Sequence, residues 1–481
     1  MMQNTKNTQV AVLGAGPGGY SAAFRCADLG IHTTIIERYP TLGGVCLNVG
    51  CIPSKTLLDI AKIIDNTNKL SENGIFKEKT IYDIHAIRKW KERIVNQLTN
   101  SLNSMAKMRN INIVNGHGRF IDKNNIHITN NNNNTIINFE HAIIATGSHP
   151  NKLPFIPYND QRIWDSTDAL ELKYIPKNLL IIGSGAIGLE MATIYNSLGS
   201  QVDVIELLNQ PIPDVDEDIT RLFIKYTQKQ FNLFLGTQVT KITPKTDGIY
   251  VNTENGQCVK NKTHYDTIIV AVGRKPNSEL LNLNNININI NQSGFIKVDN
   301  QMRTNISNIF AIGDVIGTPM LAHKSIHEGH IAAEVIAGMK SYFDPKVIPS
   351  VIYTNPEVAW IGFTEKTAKI HNMNYEVANF PWLASGRAIT SNAQEGITKL
   401  LFNKKTHRII GGIVLGKHAS ELLGEIGLAI EMGCDAEDIS LTIHAHPSLH
   451  ETIGLSAAVY EGSITDIPNI KSKINKNLYT K

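Results

Sequence analysis

The chain has 481 residues, and 42% of them are hydrophobic, enough for more than one core; at about 100 to 200 residues per domain we expect three or four domains. The formal net charge of +3 is small and gives no reason to expect a nucleic-acid or membrane partner. Five cysteines are too few, and odd in number, for a disulfide-stapled secreted scaffold. We therefore expect a soluble, cytoplasmic protein, a setting in which a disulfide is usually catalytic or redox-sensing.

The first recognisable element is a strand, residues 9–13, that runs into a glycine-rich turn formed by Gly14, Gly16 and Gly19. An alanine-rich helix follows, and the next strand ends on Glu37. In this context the glycines let the backbone approach a pyrophosphate at the helix N-terminus, while the acid accepts hydrogen bonds from ribose hydroxyls. The pattern therefore predicts a bound dinucleotide.

The same pattern recurs after residue 178. Gly183, Gly185 and Gly188 follow an apolar strand, and the next strand ends on Glu206. The offset from the first glycine to the acid is 23 residues in both copies, from 14 to 37 and from 183 to 206. Chance is a poor explanation for two units with the same offset, so the chain is predicted to bind two dinucleotides.

Two cysteines, Cys46 and Cys51, come directly after the first unit. In a regular helix their Cα atoms would lie roughly 8 to 9 Å apart, whereas a disulfide needs less than about 7 Å. If they pair, the backbone must depart from an ideal helix, which Gly50 and the pair Gly43-Gly44 permit. The residues alone leave two interpretations open, a working disulfide and two buried free cysteines.

The position of these cysteines distinguishes the two cofactors. The first unit leads straight into Cys46 and Cys51, and a flavin, unlike a nicotinamide, stays bound while it takes electrons from a dithiol. We therefore expect FAD at the first unit and a nicotinamide at the second. Glu206 stands where the 2′-phosphate of NADP would fall, which favours NAD.

The C-terminal half offers an acid and a candidate base. A strand that leads into Asp314 places a carboxylate at a sheet edge, where ligands lie. His444, His446 and His450 follow later, and a dithiol substrate needs a base that titrates in the range of histidine. Glu451 would orient such a base, but the residues do not choose among the three histidines. No cysteine or paired motif accompanies them, so no metal site is predicted.

The predicted fold class is α/β, with two Rossmann-like dinucleotide-binding domains and a C-terminal α+β dimerisation domain. The expected boundaries are 1–149 for the FAD-binding domain, 150–277 for the NAD-binding domain, 278–347 for a central domain that completes the FAD site, 348–466 for the interface domain and 467–481 for a loose tail.

Taken in order, these motifs resemble those of the pyridine nucleotide-disulfide oxidoreductase family, and the match covers nearly the whole chain. The redox signature corresponds to residues 43–55, the NAD loop to 183–190 and the second FAD motif to 311–314. The flavin-contacting turn corresponds to residues 320–323, and the His-Pro…Glu element to 446–451. The motifs agree in kind, order and spacing, so the resemblance is specific.

The resemblance implies a role for each redox residue. Cys46 and Cys51 would form a disulfide in which Cys46 is attacked by the substrate thiolate and Cys51 lies against the flavin. His446, oriented by Glu451, would be the general base and would act on the cysteines of the other subunit in a homodimer. The proline after His446 suggests a cis peptide bond.

The resemblance also implies the cofactor contacts. Lys55 and Glu190 would pair near the reactive edge of the flavin, Glu37 and Asp314 would hold FAD, and Glu206 would hold the adenosine ribose of NAD. The residues expected to contact FAD or NAD are Gly14, Gly16, Gly19, Glu37, Lys55, Gly118, Thr146, Gly147, Gly183, Gly185, Gly188, Glu190, Glu206, Gly273, Asp314 and Ala322.

Within the family, the motifs are most similar to those of members that oxidise the dihydrolipoyl group on the acyltransferase component of 2-oxo acid dehydrogenase complexes, so the resemblance implies that activity and that partner. One alternative is a reductase for glutathione, mercuric ion or trypanothione. Glu206 disfavours the NADPH-dependent forms, and the lack of any cysteine after Cys434 disfavours the mercuric form. A flavin-containing structural subunit is a further alternative, disfavoured by the intact cysteines and His446–Glu451 pair.

Overall fold

The computed structural model describes residues 4–77, 81–130, 133–254 and 264–469. Cys258 and most of the predicted tail, 467–481, lie outside these ranges. The strands are β1 Asn4–Leu13, β2 Thr33–Glu37, β3 Asn112–Asn115, β4 His117–Phe120, β5 Asn125–Asn130, β6 Asn133–Ile144, β7 Ser148–Pro150, β8 Ile163–Trp164, β9 Asn178–Ile182, β10 Gln201–Ile205, β11 Asn232–Phe234, β12 Gln238–Lys245, β13 Gly248–Glu254, β14 His264–Tyr265, β15 Thr267–Val270, β16 Arg274–Pro276, β17 Ile309–Ala311, β18 Ser350–Ile352, β19 Glu357–Gly362, β20 Tyr375–Pro381, β21 Ile397–Asn403 and β22 Ile409–Gly416.

The α-helices are α1 Pro17–Asp28, α2 Gly44–Val49, α3 Cys51–Glu72, α4 Ile84–Met108, α5 Ser166–Glu171, α6 Ala186–Ser197, α7 Glu217–Thr227, α8 Ala322–Ile336, α9 Glu365–Ile370, α10 Gly386–Thr390, α11 Ala419–Met432, α12 Ala436–Leu441 and α13 Glu451–Glu461. Short 3-10 helices cover Glu279–Leu281, Leu283–Ile286, Gly313–Val315 and Trp382–Ala384. None of the helices in the described ranges is both long and apolar enough to cross a bilayer.

The first dinucleotide unit is a parallel sheet in the order β3-β2-β1-β6-β17, and β4 and β5 extend β6 as an antiparallel meander. β1 begins five residues before the predicted strand, because residues 4–8 pair with residues 135–139 of β6. The outer strand β17 comes from residues 309–311, far along the chain, and pairs with residues 142–144. The sheet that carries the first glycine-rich turn is therefore completed by a distant segment.

The second unit repeats this arrangement. Its five strands are all parallel and follow the order β11-β10-β9-β15-β8. Here too the outer strand is supplied from elsewhere, since β8, residues 163–164, precedes the unit in sequence. Both predicted nucleotide folds are thus present, with strands and acids in equivalent places.

Helices α1 and α8 pack closely against each other beside the first sheet. A Cβ on Gly329 would lie 2.7 Å from the carbonyl oxygen of Gly18, and a Cβ on Gly18 would lie 3.0 Å from that of Ser325. Glycine at these positions lets the two backbones approach each other. The close packing fixes α8, and with it the turn before Ala322, against the helix that begins at the first glycine-rich turn.

A two-stranded ribbon joins the two units. β7 begins directly after Gly147 and β16 directly after Gly273, and the two strands pair in antiparallel fashion. The amide of Asn151 donates to the carbonyl of Gly273, and the amide of Asn277 donates to that of Gly147, both at 2.9 Å. Both strands come from Gly-x-x-Pro-Asn segments, so the two halves of the ribbon are equivalent in sequence and in hydrogen bonding.

The C-terminal part is an antiparallel sheet in the order β18-β19-β22-β21-β20, covered by α11 and α13. Two parallel nucleotide-binding sheets and this α+β unit confirm the predicted fold class.

Lys399 ties the C-terminal sheet to the second unit. Its side chain is fully buried, and its ammonium lies 3.0 Å from Asp216, 2.9 Å from Asp218 and 2.6 Å from Glu365. Oxygens of the three carboxylates lie within 4.8 Å of one another, a spacing that suits a metal ion. Because the ammonium already stands among them, the cluster is an ion-pair network that anchors α7 and α9 to β21.

Candidate active site

A cleft with an empty volume of about 1740 Å³ opens beside the first glycine-rich turn. Its walls come from that turn, from α2 and α3, from the turn between β6 and β7, and from the 3-10 helix at 313–315. The predicted site residues that line it are Gly14, Gly16, Glu37, Cys46, Cys51, Lys55, Gly118, Thr146, Gly147, Glu190, Asp314 and Ala322. Residues that are far apart in sequence thus converge on one site.

The helix between the two cysteines is interrupted at Gly50. Cys46 lies in α2, Cys51 begins α3, and Gly50 between them has φ −142° and ψ −113°. A Cβ on Gly50 would lie 2.8 Å from the carbonyl oxygen of Val45, so only glycine fits the bend. The backbone therefore departs from an ideal helix where the sequence predicted it, and both sulfurs reach the cleft.

Cys46 and Cys51 are both free thiols in this structure. A hydrogen bond from Cys46 and the nearby Lys55 ammonium together outweigh burial and lower the pKa of Cys51 to about 7. The same hydrogen bond, together with burial, raises the pKa of Cys46. The pair is therefore asymmetric, with the thiolate on Cys51 and the proton on Cys46.

Lys55 is held by partners from two other parts of the chain. Its ammonium lies 3.0 and 2.9 Å from the two carboxylate oxygens of Glu190 on α6, and 4.6 Å from the ring centre of Tyr353. The amide of Tyr353 also donates to Glu190 at 3.2 Å. Burial opposes the charge of Lys55, but Glu190 outweighs it and raises the pKa of the ammonium. The cation beside Cys51 therefore stays charged at neutral pH.

The ionisation of Cys51 gives a first prediction. In the dithiol form the Cys51 thiolate should be half-formed at about pH 7, and it should be lost as the pH falls further because the pKa is lowered. The ultraviolet absorbance of the thiolate, taken as the difference between reduced wild type and reduced Cys51→Ser, measures this. Lys55→Met should move the midpoint upward, whereas Lys62→Met removes a charge from the same helix and should not. A midpoint near that of an ordinary cysteine would contradict the asymmetry.

The acids of the two nucleotide units make equivalent hydrogen bonds. Glu37 accepts from the amide of Ala15 at 2.7 Å and from that of Tyr39 at 3.0 Å. Glu206 accepts from the amide of Ser184 at 2.8 Å and from that of Leu208 at 2.9 Å. Each carboxylate thus ties the glycine-rich turn to the end of the second strand. Both oxygens of Glu37 keep a lone pair for a ribose hydroxyl, whereas in Glu206 only Oε1 does, because Oε2 also accepts from the hydroxyl of Ser184 at 2.9 Å.

The first glycine of each turn has no room for a side chain. Gly14 has φ +101° and Gly183 has φ +106°, and a Cβ on either would lie 2.4 Å from the carbonyl oxygen of Ala145 or Ala271, respectively. The left-handed backbone and this contact close the tight turn that precedes each helix.

The second and third glycines of each turn have different surroundings. A Cβ on Gly19 or Gly188 would lie 1.9 or 2.0 Å from the carbonyl oxygen of the first glycine, so both are packing positions. A Cβ on Gly16 would meet only the Cα of Gly44, at 4.0 Å, and a Cβ on Gly185 would meet nothing within 4 Å. The middle position thus faces open space in both turns, as the approach of a pyrophosphate requires. Both turns fit a dinucleotide.

The difference between Gly183, which has no room for a Cβ, and Gly185, which has, gives a prediction for the second unit. Gly185→Ala should leave the melting temperature unchanged, because Gly185 has φ −76° and its Cβ would meet no protein atom, yet it should weaken NADH binding about tenfold or more. Gly183→Ala should weaken binding and also cost about 1 kcal/mol or more of folding free energy. Thermal unfolding and a fluorescence titration with NADH separate the two. Equal affinity in wild type and Gly185→Ala would mean that the pyrophosphate lies elsewhere.

A series of hydrogen bonds that the sequence analysis did not predict links Arg274, Ser148 and Asp314. The hydroxyl of Ser148 donates to Asp314 at 2.5 Å, and Arg274 donates to both the hydroxyl and the carbonyl of Ser148 at 2.7 Å. Arg274 also lines the cleft, whereas Gly273 lies outside it, in the turn before β16. The repeated Gly-x-x-Pro-Asn segments were the signal that could have found this link between the units.

The three C-terminal histidines have different partners. Nδ1 of His446 lies 2.8 Å from Glu451, which also accepts from the amide of Ser448 at 2.7 Å. These two bonds outweigh burial and lower the pKa of Glu451. His444 and His450 instead share Glu425. His446 is the most exposed of the three, at 79%, and its peptide bond to Pro447 is cis.

His446 does not line the cleft that holds Cys46 and Cys51. The structure of the single chain therefore places each predicted catalytic pair in a different region, the cysteines in the first unit and His446 with Glu451 beside the C-terminal sheet. The imidazole of His446 is thus oriented by a carboxylate and accessible from outside the chain.

Comparison with known proteins agrees with this organisation. Residues 8–329 match the family described as "Pyridine nucleotide-disulphide oxidoreductase", and residues 348–457 match the dimerisation domain of the same family. The chain is similar to the dihydrolipoyl dehydrogenase of Vibrio cholerae, with 59% identity over 99% of this chain and 100% of that one. For the enzymes of that name from Haemophilus influenzae and Bacillus subtilis the identities are 57% (98% and 99% covered) and 40% (95% and 97% covered).

Among solved structures, the chain is similar to the HOCl-induced flavoprotein disulfide reductase RclA from Escherichia coli in its Cu(II) complex, with a TM-score of 0.85, 26% identity and coverage of 94% and 99%. LpdA from Mycobacterium tuberculosis shares the fold, with a TM-score of 0.85 at 24% identity, over 94% of this chain and 99% of that one. FAD and NAD, the cofactors predicted from the two turns, are those of this class of enzyme. The chain belongs to the pyridine nucleotide-disulphide oxidoreductase family.

Proposed function

We propose that the chain oxidises dihydrolipoyl groups with NAD⁺ through the dithiol–disulfide couple of Cys46 and Cys51. The observation that carries the proposal is the placement of both cysteines in the cleft that fits the first dinucleotide. The relatives named dihydrolipoyl dehydrogenase, 57% and 59% identical over nearly their full length, support the choice of substrate.

The thiol chemistry follows from the asymmetry of the pair. In the oxidised enzyme Cys46 and Cys51 form a disulfide. His446 takes a proton from one substrate thiol, and the resulting thiolate attacks the Cys46 sulfur, so that Cys51 leaves as a thiolate. The second substrate thiol gives its proton to Cys46 and attacks the substrate sulfur bound there, which releases the cyclic disulfide product. Two electrons pass to the pair, one proton rests on His446 and one on Cys46.

The residues around Cys51 stabilise the thiolate that this exchange produces. The Cys46 thiol donates to Cys51, and Lys55, fixed by Glu190, adds a positive charge nearby. Bound FAD supplies the two-electron chemistry that links the dithiol to NAD⁺. Glu37 and Asp314 would hold FAD, and Glu206 would hold the adenosine ribose of NAD, where a carboxylate disfavours the 2′-phosphate of NADP.

A homodimer would supply the base. His446 lies outside the cleft of its own chain, within the region that matches the dimerisation domain of the family, so the partner subunit would bring it to the cysteines. Leu428, Met432 and Ile443 of the same region are 64%, 73% and 97% exposed, an apolar surface that a second copy would cover. The interface domain would then span 348–466, as its sequence indicates.

The macromolecular substrate would be the lipoylated acyltransferase component of a 2-oxo acid dehydrogenase complex in the cytoplasm.

The remaining domain boundaries would follow the sequence, with FAD and NAD domains at 1–149 and 150–277, and residues 278–347 completing the FAD site. The pairing of β17 with β6 supports the last of these assignments.

A direct assay tests the proposal. Purified protein with bound FAD should reduce NAD⁺, and much less readily NADP⁺, when dihydrolipoamide is supplied. Absence of turnover with NAD⁺ would overturn the proposal. Reduction of glutathione disulfide by NADPH at a comparable rate would instead favour the related reductases.

A further inference from the structure

The loop that carries His446 is fixed at both ends by a single carboxylate. It connects α12 to α13, and its outer histidines, His444 and His450, both contact Glu425 of α11. Nε2 of His444 lies 2.6 Å from one carboxylate oxygen of Glu425, and Nδ1 of His450 lies 2.9 Å from the other. One side chain on a long helix therefore holds two points that are six residues apart.

Packing adds to this restraint at the N-terminal end of the loop. The side chain of His444 is only 10% exposed, and a Cβ on Gly454 of α13 would lie 2.9 Å from its Cε1 atom. Glycine at 454 thus makes room for the imidazole between α13 and Glu425. With Glu451 bound to His446 and to the amide of Ser448, the loop is held at four points by two carboxylates.

The two carboxylates hold different parts of the same loop. Glu451 contacts the imidazole of His446 itself, whereas Glu425 contacts only the residues that flank it. A base that acts across a subunit boundary must keep its position without support from its own cleft, and an error of about 1 Å in such a group can cost a hundredfold in rate. The flanking bonds supply that support from within the chain.

We propose that Glu425 is a positioning residue for the reaction, because it clamps both ends of the loop and so fixes where His446 stands. The proposal rests on the proposed function, in which His446 is the base. Glu425 does not line the cleft that fits the first dinucleotide, so we expect its effect to be confined to the steps that use His446. Its neighbours His444 and His450 act only as the points to which it attaches.

The test compares two reactions of the FAD-bound dimer. Glu425→Ala should lower kcat/KM for dihydrolipoamide oxidation about tenfold to a hundredfold, and leave NADH oxidation by ferricyanide, which needs no base at the thiols, within about twofold. Glu425→Gln, which keeps one acceptor oxygen, should recover part of the loss. Glu421→Gln removes an exposed carboxylate of the same helix and should match wild type.

A double-mutant cycle completes the test. In a His446→Ala background, Glu425→Ala should cost nothing further, since the group that it positions is already gone. Wild-type activity in Glu425→Ala, a parallel loss of the ferricyanide reaction, or a further loss in the His446→Ala background would each overturn the proposal. Should Glu425→Ala not yield a folded dimer by sedimentation, Glu425→Gln carries the same comparison. Failure of the wild type itself to oxidise dihydrolipoamide would refute the proposed function instead.

Discussion

Replacement of Cys51 with serine is expected to abolish dihydrolipoamide oxidation, by about ten-thousandfold or more, because a serine hydroxyl can neither form nor break the disulfide. Cys46→Ser should be equally inactive. The two variants should differ in their spectra, since the thiolate that lies against the flavin is assigned to Cys51, whose pKa is lowered to about 7. On partial reduction, Cys46→Ser should keep a long-wavelength absorbance band and Cys51→Ser should lose it.

Cys434→Ser serves as the matched control for this pair. Cys434 is also a partly buried free thiol, but it lies beyond the cleft, so its replacement should change neither rate nor spectrum. Survival of the band in Cys51→Ser would show that the two sulfurs have been assigned to the wrong partners. Turnover in either cleft variant would remove the disulfide from the mechanism altogether.

Mixed dimers of two inactive variants should regain activity. His446→Ala removes the base and is expected to cost about a hundredfold to ten-thousandfold in kcat/KM, and Cys46→Ser removes the sulfur that the substrate attacks. In a dimer with one chain of each kind, one site combines the intact cysteines of the first chain with the intact histidine of the second. Random reassembly should therefore restore about a quarter of the wild-type specific activity.

The mixing experiment separates action between subunits from action within one chain. If His446 served the cysteines of its own chain, every site in the mixed dimer would lack one group and no activity would return. Mixing His446→Ala with Glu451→Ala is the control, because those changes fall in the same catalytic pair and should not complement each other. Reassembly itself is verified by tagging one of the two chains.

Sequence reasoning was most successful where chemistry is local. Both glycine-rich turns and their acids occupy equivalent places in parallel sheets, because a strand, a turn and a helix within about 25 residues dictate one geometry. The break between Cys46 and Cys51 also followed from spacing and from Gly50. The residues alone did not choose among the three histidines, and in the structure all three have a carboxylate partner, so His446 as the base stays a prediction from the resemblance.

Contacts between distant segments could not be predicted from the sequence. Tyr353 reaches Lys55 across about 300 residues, and Arg274 reaches Ser148 across 126. Such pairs leave no periodicity in the chain, because they are set by the way whole sheets pack against each other. β17 is a similar case, since nothing in residues 309–311 indicates that their strand pairs with β6.

The outer strands β17 and β8 come from outside the units whose sheets they complete, so neither nucleotide-binding unit is expected to fold when it is expressed alone. A fragment that stops before residue 309 would leave one side of β6 without β17, and one that begins after residue 164 would leave β15 without β8. Bare sheet edges of this kind invite self-association. Attempts to express either half alone, or to graft it onto another enzyme, should therefore yield aggregates unless the distant strand is supplied as well.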